Sequence, residues 1–139
     1  MTARVLAILL LPTITLLMLA ACSGIGPGTG DPLKGTSWRL VNLGGDALIP
    51  GTEITASFKD GQVGGQACNS YGGSYTVSGD MLTVREIYQT EMACLEPEGI
   101  MEQESQYMDL LRQSTSFRIS GQELRITTSG GDTLIFVAA

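Results

Sequence analysis

The chain has 139 residues, eight Lys and Arg against fourteen Asp and Glu, a formal net charge of −6 and no histidine. That balance excludes nucleic acid as a partner, because phosphate binding is driven by clustered basic side chains. The missing imidazole excludes Ser-His-Asp and Cys-His catalytic sets, histidine acid–base chemistry and histidine-ligated metal.

In chain order, the first element is a lone Arg4 followed by an apolar run from Val5 that closes on Leu19-Ala20-Ala21-Cys22. One basic residue, a run poor in polar groups, two small residues and a cysteine form the layout of a bacterial lipoprotein export signal. Residues 1–21 are then removed, leaving 118 residues with a net charge of −7, and the Cys22 thiolate becomes the site of lipidation. An uncleaved transmembrane helix is the alternative. Against it stand Pro12 in mid-run and the lack of any basic residue directly after the segment. Acyl chains on Cys22 at ~0.8 kcal/mol per buried CH₂ make the membrane the first expected partner. The expected location is the cell envelope, on the outer membrane facing the periplasm if the envelope is Gram-negative, since Ser23 rather than an aspartate follows the cysteine.

Residues 22–32 read as the lipidated N-terminus and a flexible tether, because Ser23 to Asp31 is dominated by glycine and small polar residues that bury little apolar area. The folded domain is expected over 33–139, a length that holds one modest core. From Leu33 the dominant period is two, with Gly and Asp punctuation, which predicts short antiparallel strands. Trp38 and Leu40 alternate with Ser37 and Arg39, Ile54, Ala56 and Phe58 with Thr55 and Ser57, and Asp60-Gly61 makes a turn. Hairpins are predicted at Val77–Val84, turning at Ser78-Gly79, and at Ile119–Ile126, turning at Ser120-Gly121. The two segments echo each other, either as a duplicated meander or as two independent Ser-Gly hairpins. The pairs Gly64-Gly65 and Gly72-Gly73 are placed between strands.

Pro97 to Arg112 breaks the alternation. On a 3.6 period Ile100, Met101, Tyr107, Met108 and Leu111 gather into one stripe, Pro97 suits a first turn, and Arg112 lies at the negative end of the dipole. This predicts one amphipathic helix whose acidic start, Glu96, Glu98, Glu102 and Glu104, is solvated. Strands over 116–120, 123–128 and 133–137 follow, the last turn being Ser129 to Asp132. The fold class is α+β, mainly antiparallel β: about eight short strands curled into a small open barrel with one helix packed on it. Trp38, Phe58, Leu82, Leu124 and Phe136 are read as core.

With Cys22 lipidated, Cys68 and Cys94 remain as an even pair in an exported protein, and a disulfide is the default. Two free buried thiols, a redox-active pair and a metal site stay as alternatives, the last short of further ligands. No catalytic residue, cofactor or metal is assigned. The candidate binding surface is Asn69, Tyr71 and Tyr75 with Met92 beside them, a turn amide and two flat amphipathic rings. Its competitor has Asn69 capping its own loop and the tyrosines covering the barrel end.

Trp38, the segment Gly65 to Tyr75 around Cys68-Asn69, Thr90-Glu91-Met92-Ala93-Cys94, a helix ending in Leu110-Leu111, Gly121 to Leu124 and the terminal Leu134-Ile135-Phe136 together resemble the META/HslJ family. Ala67 departs from the glycine that usually precedes the cysteine. The resemblance covers Leu33 to Val137 and implies an open antiparallel barrel with one helix in a non-enzymatic envelope lipoprotein that tolerates stress by binding or buttressing another envelope protein. The second function class is a carrier or pilot-like module whose half-open barrel takes a small apolar ligand, a lipid tail or a peptide strand. A monomer is expected in either case.

Overall fold

The computed structural model describes residues 30–139; the expected signal segment, Cys22 and the part of the expected tether up to residue 29 lie outside the described residues. Among the described residues nine strands and one helix follow in the order β1 (Thr36–Leu43), β2 (Asp46–Ala47), β3 (Thr55–Lys59), β4 (Gln62–Gln66), β5 (Ser70–Ser78), β6 (Met81–Gln89), α1 (Ile100–Arg112), β7 (Ser114–Ser120), β8 (Glu123–Thr128) and β9 (Thr133–Ala138). All are antiparallel neighbours in the order β2-β1-β3-β4-β5-β6-β7-β8-β9. An added β1–β9 pairing, with Trp38 opposite Ala138 and Leu43 opposite Leu134, closes eight of them into a barrel. β2 continues the β3 side of β1, pairing Asn42 with Ala47.

The barrel is therefore closed where the sequence suggested an open one. Its weakest seam lies between β6 and β7, where a single pair, Met81 opposite Ser116, is reinforced by the Phe117 N–H donating to Asp80 O at 2.8 Å. Beyond Met81, β6 bends away at an irregularity facing Gly72 to Ser74, where Glu86 takes a positive φ of 53°. The side of β6 left without a strand there faces α1, and two of the side chains lining the cleft beside the helix are Gln89 of β6 and Met108 of α1.

Alternation of side chains across each strand sends one set inward. Leu33, Trp38, Leu40, Ile54, Phe58, Val63, Leu82, Leu124, Ile126, Leu134 and Phe136 are all buried, joined from α1 by Tyr107, Met108, Leu110 and Leu111. The core residues read from the sequence, Trp38, Phe58, Leu82, Leu124 and Phe136, hold their places.

Four expectations change. Gly64-Gly65 and Gly72-Gly73 lie inside β4 and β5 rather than between strands. A β-carbon at Gly65 would sit 2.0 Å from Thr55 O, so the strands approach more closely there than any side chain permits. The helix starts at Ile100, not Pro97, because Gly99 takes a left-handed φ of 84° just before it. Its buried face is Gln103, Glu104, Tyr107, Met108, Leu110 and Leu111, whereas Met101 is 40% exposed. Finally, the folded part includes Asp31, whose carboxylate accepts the Leu33 N–H at 2.9 Å and the Tyr75 hydroxyl.

Candidate functional site

The polar centre of the molecule is Asn69, at the corner between β4 and β5. The corner is tight: Ala67 N–H donates to Asn69 O at 2.8 Å, and the Ser70 hydroxyl donates to Gln66 Oε1 at 2.8 Å. Cys68 is disulfide-bonded to Cys94, with Cα atoms 6.1 Å apart, which draws the loop after β6 across this corner. Asn69 then uses every hydrogen-bonding position that it has. Its Oδ1 accepts the Thr90 hydroxyl at 2.9 Å and Met92 N–H at 2.7 Å. Its Nδ2 donates to Met92 O at 3.2 Å and to Glu104 Oε2 at 2.9 Å. The main-chain N–H donates to Glu104 Oε1 at 2.6 Å.

Glu104 is 2% exposed, and no basic group among the described residues stands within ion-pair distance of it. One asparagine thus supplies two N–H donors to a buried carboxylate. The sequence placed Glu104 on a solvated acidic turn; the fold turns it inward, because residues 103, 104, 107, 108 and 111 share one helical face. Its neighbour Gln103 acts in the same way on the other side. Gln103 Oε1 accepts Ile49 N–H at 2.7 Å and Nε2 donates to Thr52 Oγ1 at 2.9 Å, which ties the segment between β2 and β3 to the helix. Two polar residues on the first turns of α1 therefore clamp two loops at one end of the barrel.

A second polar chain lies deeper. The Tyr71 hydroxyl donates to Thr55 O at 2.7 Å and stands 2.6 Å from the Tyr107 hydroxyl, which is therefore the donor between the two rings. The rings of Tyr71 and Tyr107 meet edge to face at 5.5 Å, and Tyr107 meets Phe136 at 6.4 Å. Burial pushes the phenols of Tyr71 and Tyr107 well above their ordinary range. Tyr75 is raised as well, first by desolvation and then by the Asp31 carboxylate that accepts its proton's hydrogen bond.

Of the four residues proposed as a binding surface, Asn69, Tyr71 and Tyr75 are buried at 1%, 5% and 4%, and only Met92, at 54%, faces solvent. Their burial overturns the expectation of an exposed patch: the polar atoms are held by internal partners, and the two rings pack into the core. The Asn69–Glu104 centre is held together by its own hydrogen bonds. It fixes the segment from Thr90 to Leu95 on the outside of the barrel, where Met92, Leu95 at 82% and Met101 stand exposed around the disulfide. Met101 Sδ lies 3.4 Å from Cys94 N, so the helix and the bridge are in direct contact. Leu95 and Glu104 were missed from the sequence. The available signal was a polar pair, Gln103-Glu104, interrupting an otherwise apolar helical stripe.

Two clefts flank α1. One of about 250 Å³ is lined by Leu43, Ile49, Glu102, Gln103 and their neighbours, and one of about 340 Å³ by Gln89, Met101, Glu104, Ser105, Met108 and Arg112. Neither is lined by Trp38, Phe58 or Phe136 from the barrel interior. Among the described residues no group of three or more His, Cys, Asp or Glu side chains is placed to hold a metal ion.

Solved structures share this architecture. A protein from Burkholderia xenovorans determined by NMR superposes with a TM-score of 0.64 at 27% identity, over 77% of this chain and 83% of that one. A second NMR structure gives 0.62 at 20% identity over 76% and 90%, and shows the fold alone. A DUF4847 family protein from Bacteroides vulgatus, a crystal structure, gives 0.57 at 15% over 77% and 94% and likewise shows only the fold. No curated protein matches the chain. The META domain matches residues 31–139, the whole of the barrel and its helix, and the chain belongs to the META domain family.

Proposed function

We propose that this META domain protein is an envelope lipoprotein, anchored through acylated Cys22, that acts as a non-enzymatic binding or structural module for another envelope component. The observation that carries the reading is the filled interior. Trp38, Phe58, Tyr107, Leu124 and Phe136 occupy the space that a carrier would keep for a lipid tail or an inserted strand, each 4% exposed or less. The clefts lie outside, beside α1, and the buried polar groups of Asn69 and Glu104 are bonded to internal partners. This favours action by the outer surface over transport within the barrel. A role in tolerating envelope stress follows from the likeness to the META/HslJ family.

Two measurements test this. In the native host, labelled fatty acid is expected on the wild-type chain and absent from Cys22→Ser; label on both, or on neither, sinks the anchor. Fluorescent fatty acids added to the delipidated chain are expected to show no saturable uptake. Stoichiometric uptake that is lost when Tyr107 is enlarged to tryptophan would instead establish the carrier function.

A further inference from the structure

We infer that the acidic, apolar-studded tip around the Cys68–Cys94 disulfide is a docking surface for a cationic amphipathic peptide segment. The inference rests on the binding-module reading above and names the partner's chemistry. Between Arg85 and Arg112 the chain has no basic residue, yet it holds seven of the fourteen acidic ones: Glu86, Glu91, Glu96, Glu98, Glu102, Glu104 and Asp109. Asp109 is paired with Arg112, and Glu104 is buried. Glu91, Glu96, Glu98 and Glu102 are exposed and have no ion-pair partner among the described residues. The same stretch carries four of the six large apolar side chains that stand exposed among the described residues, Tyr88, Met92, Leu95 and Met101.

Exposed apolar side chains scattered singly need no explanation, whereas a group of them rimmed by one sign of charge marks an interaction site. Here the apolar members are held together: Cys94 N–H points at Met101 Sδ, and Met92 is fixed at both its N–H and its carbonyl by Asn69. The tip is thus ordered before any partner arrives, so binding loses less conformational entropy than it would on a free loop. A flexible thioether surface accepts apolar side chains of varied shape, as methionine-rich sites do. The carboxylate rim selects lysine and arginine between those side chains and repels acidic segments.

Position agrees with such a role. The chain enters the domain at Asp31, which is bound to Tyr75, six residues along β5 from Asn69. At about 3.3 Å per residue the entry point and the tip are about 20 Å apart, near opposite ends of the barrel. Attachment at the N-terminus leaves the tip facing away from the point of anchorage.

The test uses the chain from residue 22 carrying Cys22→Ser, which retains every residue of the closed barrel. A labelled amphipathic peptide of alternating leucine and lysine turns is titrated by fluorescence anisotropy, against a leucine/glutamate peptide of the same pattern and a lysine-rich peptide scrambled to lose its apolar face. The first peptide is expected to bind saturably, more weakly as salt rises, and the two controls are not. The combined variant Glu91→Gln, Glu96→Gln, Glu98→Gln is expected to weaken binding on the order of 3- to 30-fold, at the strength typical of surface ion pairs. Leu95→Ser, at a side chain 82% exposed and therefore harmless to folding, is expected to weaken it by about 10-fold, the cost of re-exposing one aliphatic anchor. Glu123→Gln with Asp132→Asn, away from the tip, is the control. Equal loss in that control, equal binding of the scrambled peptide, or no binding at all overturns the inference. Concentration-dependent self-association of the unmodified chain that Leu95→Ser abolishes overturns it too, since the patch is then covered by a second copy. None of these outcomes touches acylation at Cys22 or the filled barrel.

Discussion

Removing the side chain of Asn69 is expected to cost this domain a large part of its stability. Asn69→Ala deletes four hydrogen bonds at once, to Glu104 Oε2, Met92 O, Met92 N–H and the Thr90 hydroxyl. A neutral bond contributes about 1 kcal/mol and one to a charged group about 1.5 to 3. The alanine also leaves Glu104 Oε2 buried with no donor at the place of the lost amide, although Oε1 keeps the main-chain N–H. The sum is about 3 to 5 kcal/mol, after allowing water to reach the more exposed Thr90 and Met92 groups. Against the 5 to 15 kcal/mol of a typical domain, that shifts the urea midpoint by several tenths of its value with an unchanged slope. Equilibrium unfolding followed by circular dichroism measures it. The companion Glu104→Leu removes both the carboxylate and its desolvation, so it is expected to cost less than Glu104→Ala, which leaves a void beside Asn69. A loss below about 1 kcal/mol for Asn69→Ala would refute the hub, because a corner that tolerates losing all four bonds is not held by them.

Reduction of the Cys68–Cys94 bridge, with 26 residues of sequence separation, is expected to lower stability by about 3 to 4 kcal/mol; urea curves with and without reductant should differ by that amount while near-native secondary structure persists in reductant. Alkaline titration tests the buried phenols. Tyr71, Tyr75 and Tyr107 have folded pKa values raised above their unfolded one. The native state therefore keeps protons that the unfolded chain releases, and stability is complete below pH of about 10 and falls as pH climbs past it. Tyrosinate absorbance for these three should appear together with loss of the fold, and ionisation of all three in an intact barrel would contradict their burial. Glycine substitutions should separate by what they strike. Gly65→Ala drives a β-carbon against Thr55 O at 2.0 Å, backbone that cannot yield, and is expected to give little folded protein; Gly72→Ala meets the Tyr88 hydroxyl at 2.5 Å, the end of an exposed side chain that can swing aside, at a cost of about 1 to 2 kcal/mol in the same unfolding assay.

The stretches with clean alternation, such as residues 37–40 of β1 and the strand Thr133–Ala138, were legible because one face of each lies in the core and the other is more open to water, so burial copies the pattern. β4 and the first half of β5 were not. Both strands carry adjacent glycine pairs, Gly64-Gly65 and Gly72-Gly73, and glycine carries no hydropathy signal on either face; what it encodes there is the approach of backbone or a ring, a fact about the neighbouring strand. Closure of the barrel was hidden for a similar reason, since the pairing of β1 with β9 joins the two ends of the domain and leaves no local trace. The helix was placed to its last residue but rotated: Met101 was put inside and Glu104 outside. Hydrophobicity alone favours that choice, and only the asparagine 35 residues away, which satisfies the carboxylate, reverses it.

That reversal links the candidate site to the surface it presents. Had Met101 taken the inward position, the helix would bury another thioether, Glu104 would join the outer carboxylates, and the loop from Thr90 to Leu95 would lose the anchor that Asn69 and Glu104 together provide. The observed rotation places a carboxyl group in the interior, a choice that adds little to stability when a well-packed apolar side chain could stand there. What it secures is register. Asn69 can satisfy Glu104, Thr90 and Met92 simultaneously in one arrangement of helix, corner and loop, and any slip leaves a buried donor or carboxylate without a partner. The consequence reaches the outside of the molecule, because the same constraint holds Met92 and Met101 on the solvent side of the disulfide, next to Leu95 and the unpaired carboxylates. A buried polar hub that admits one register of helix, corner and loop therefore ties the folding of the barrel to the presentation of that exposed apolar tip.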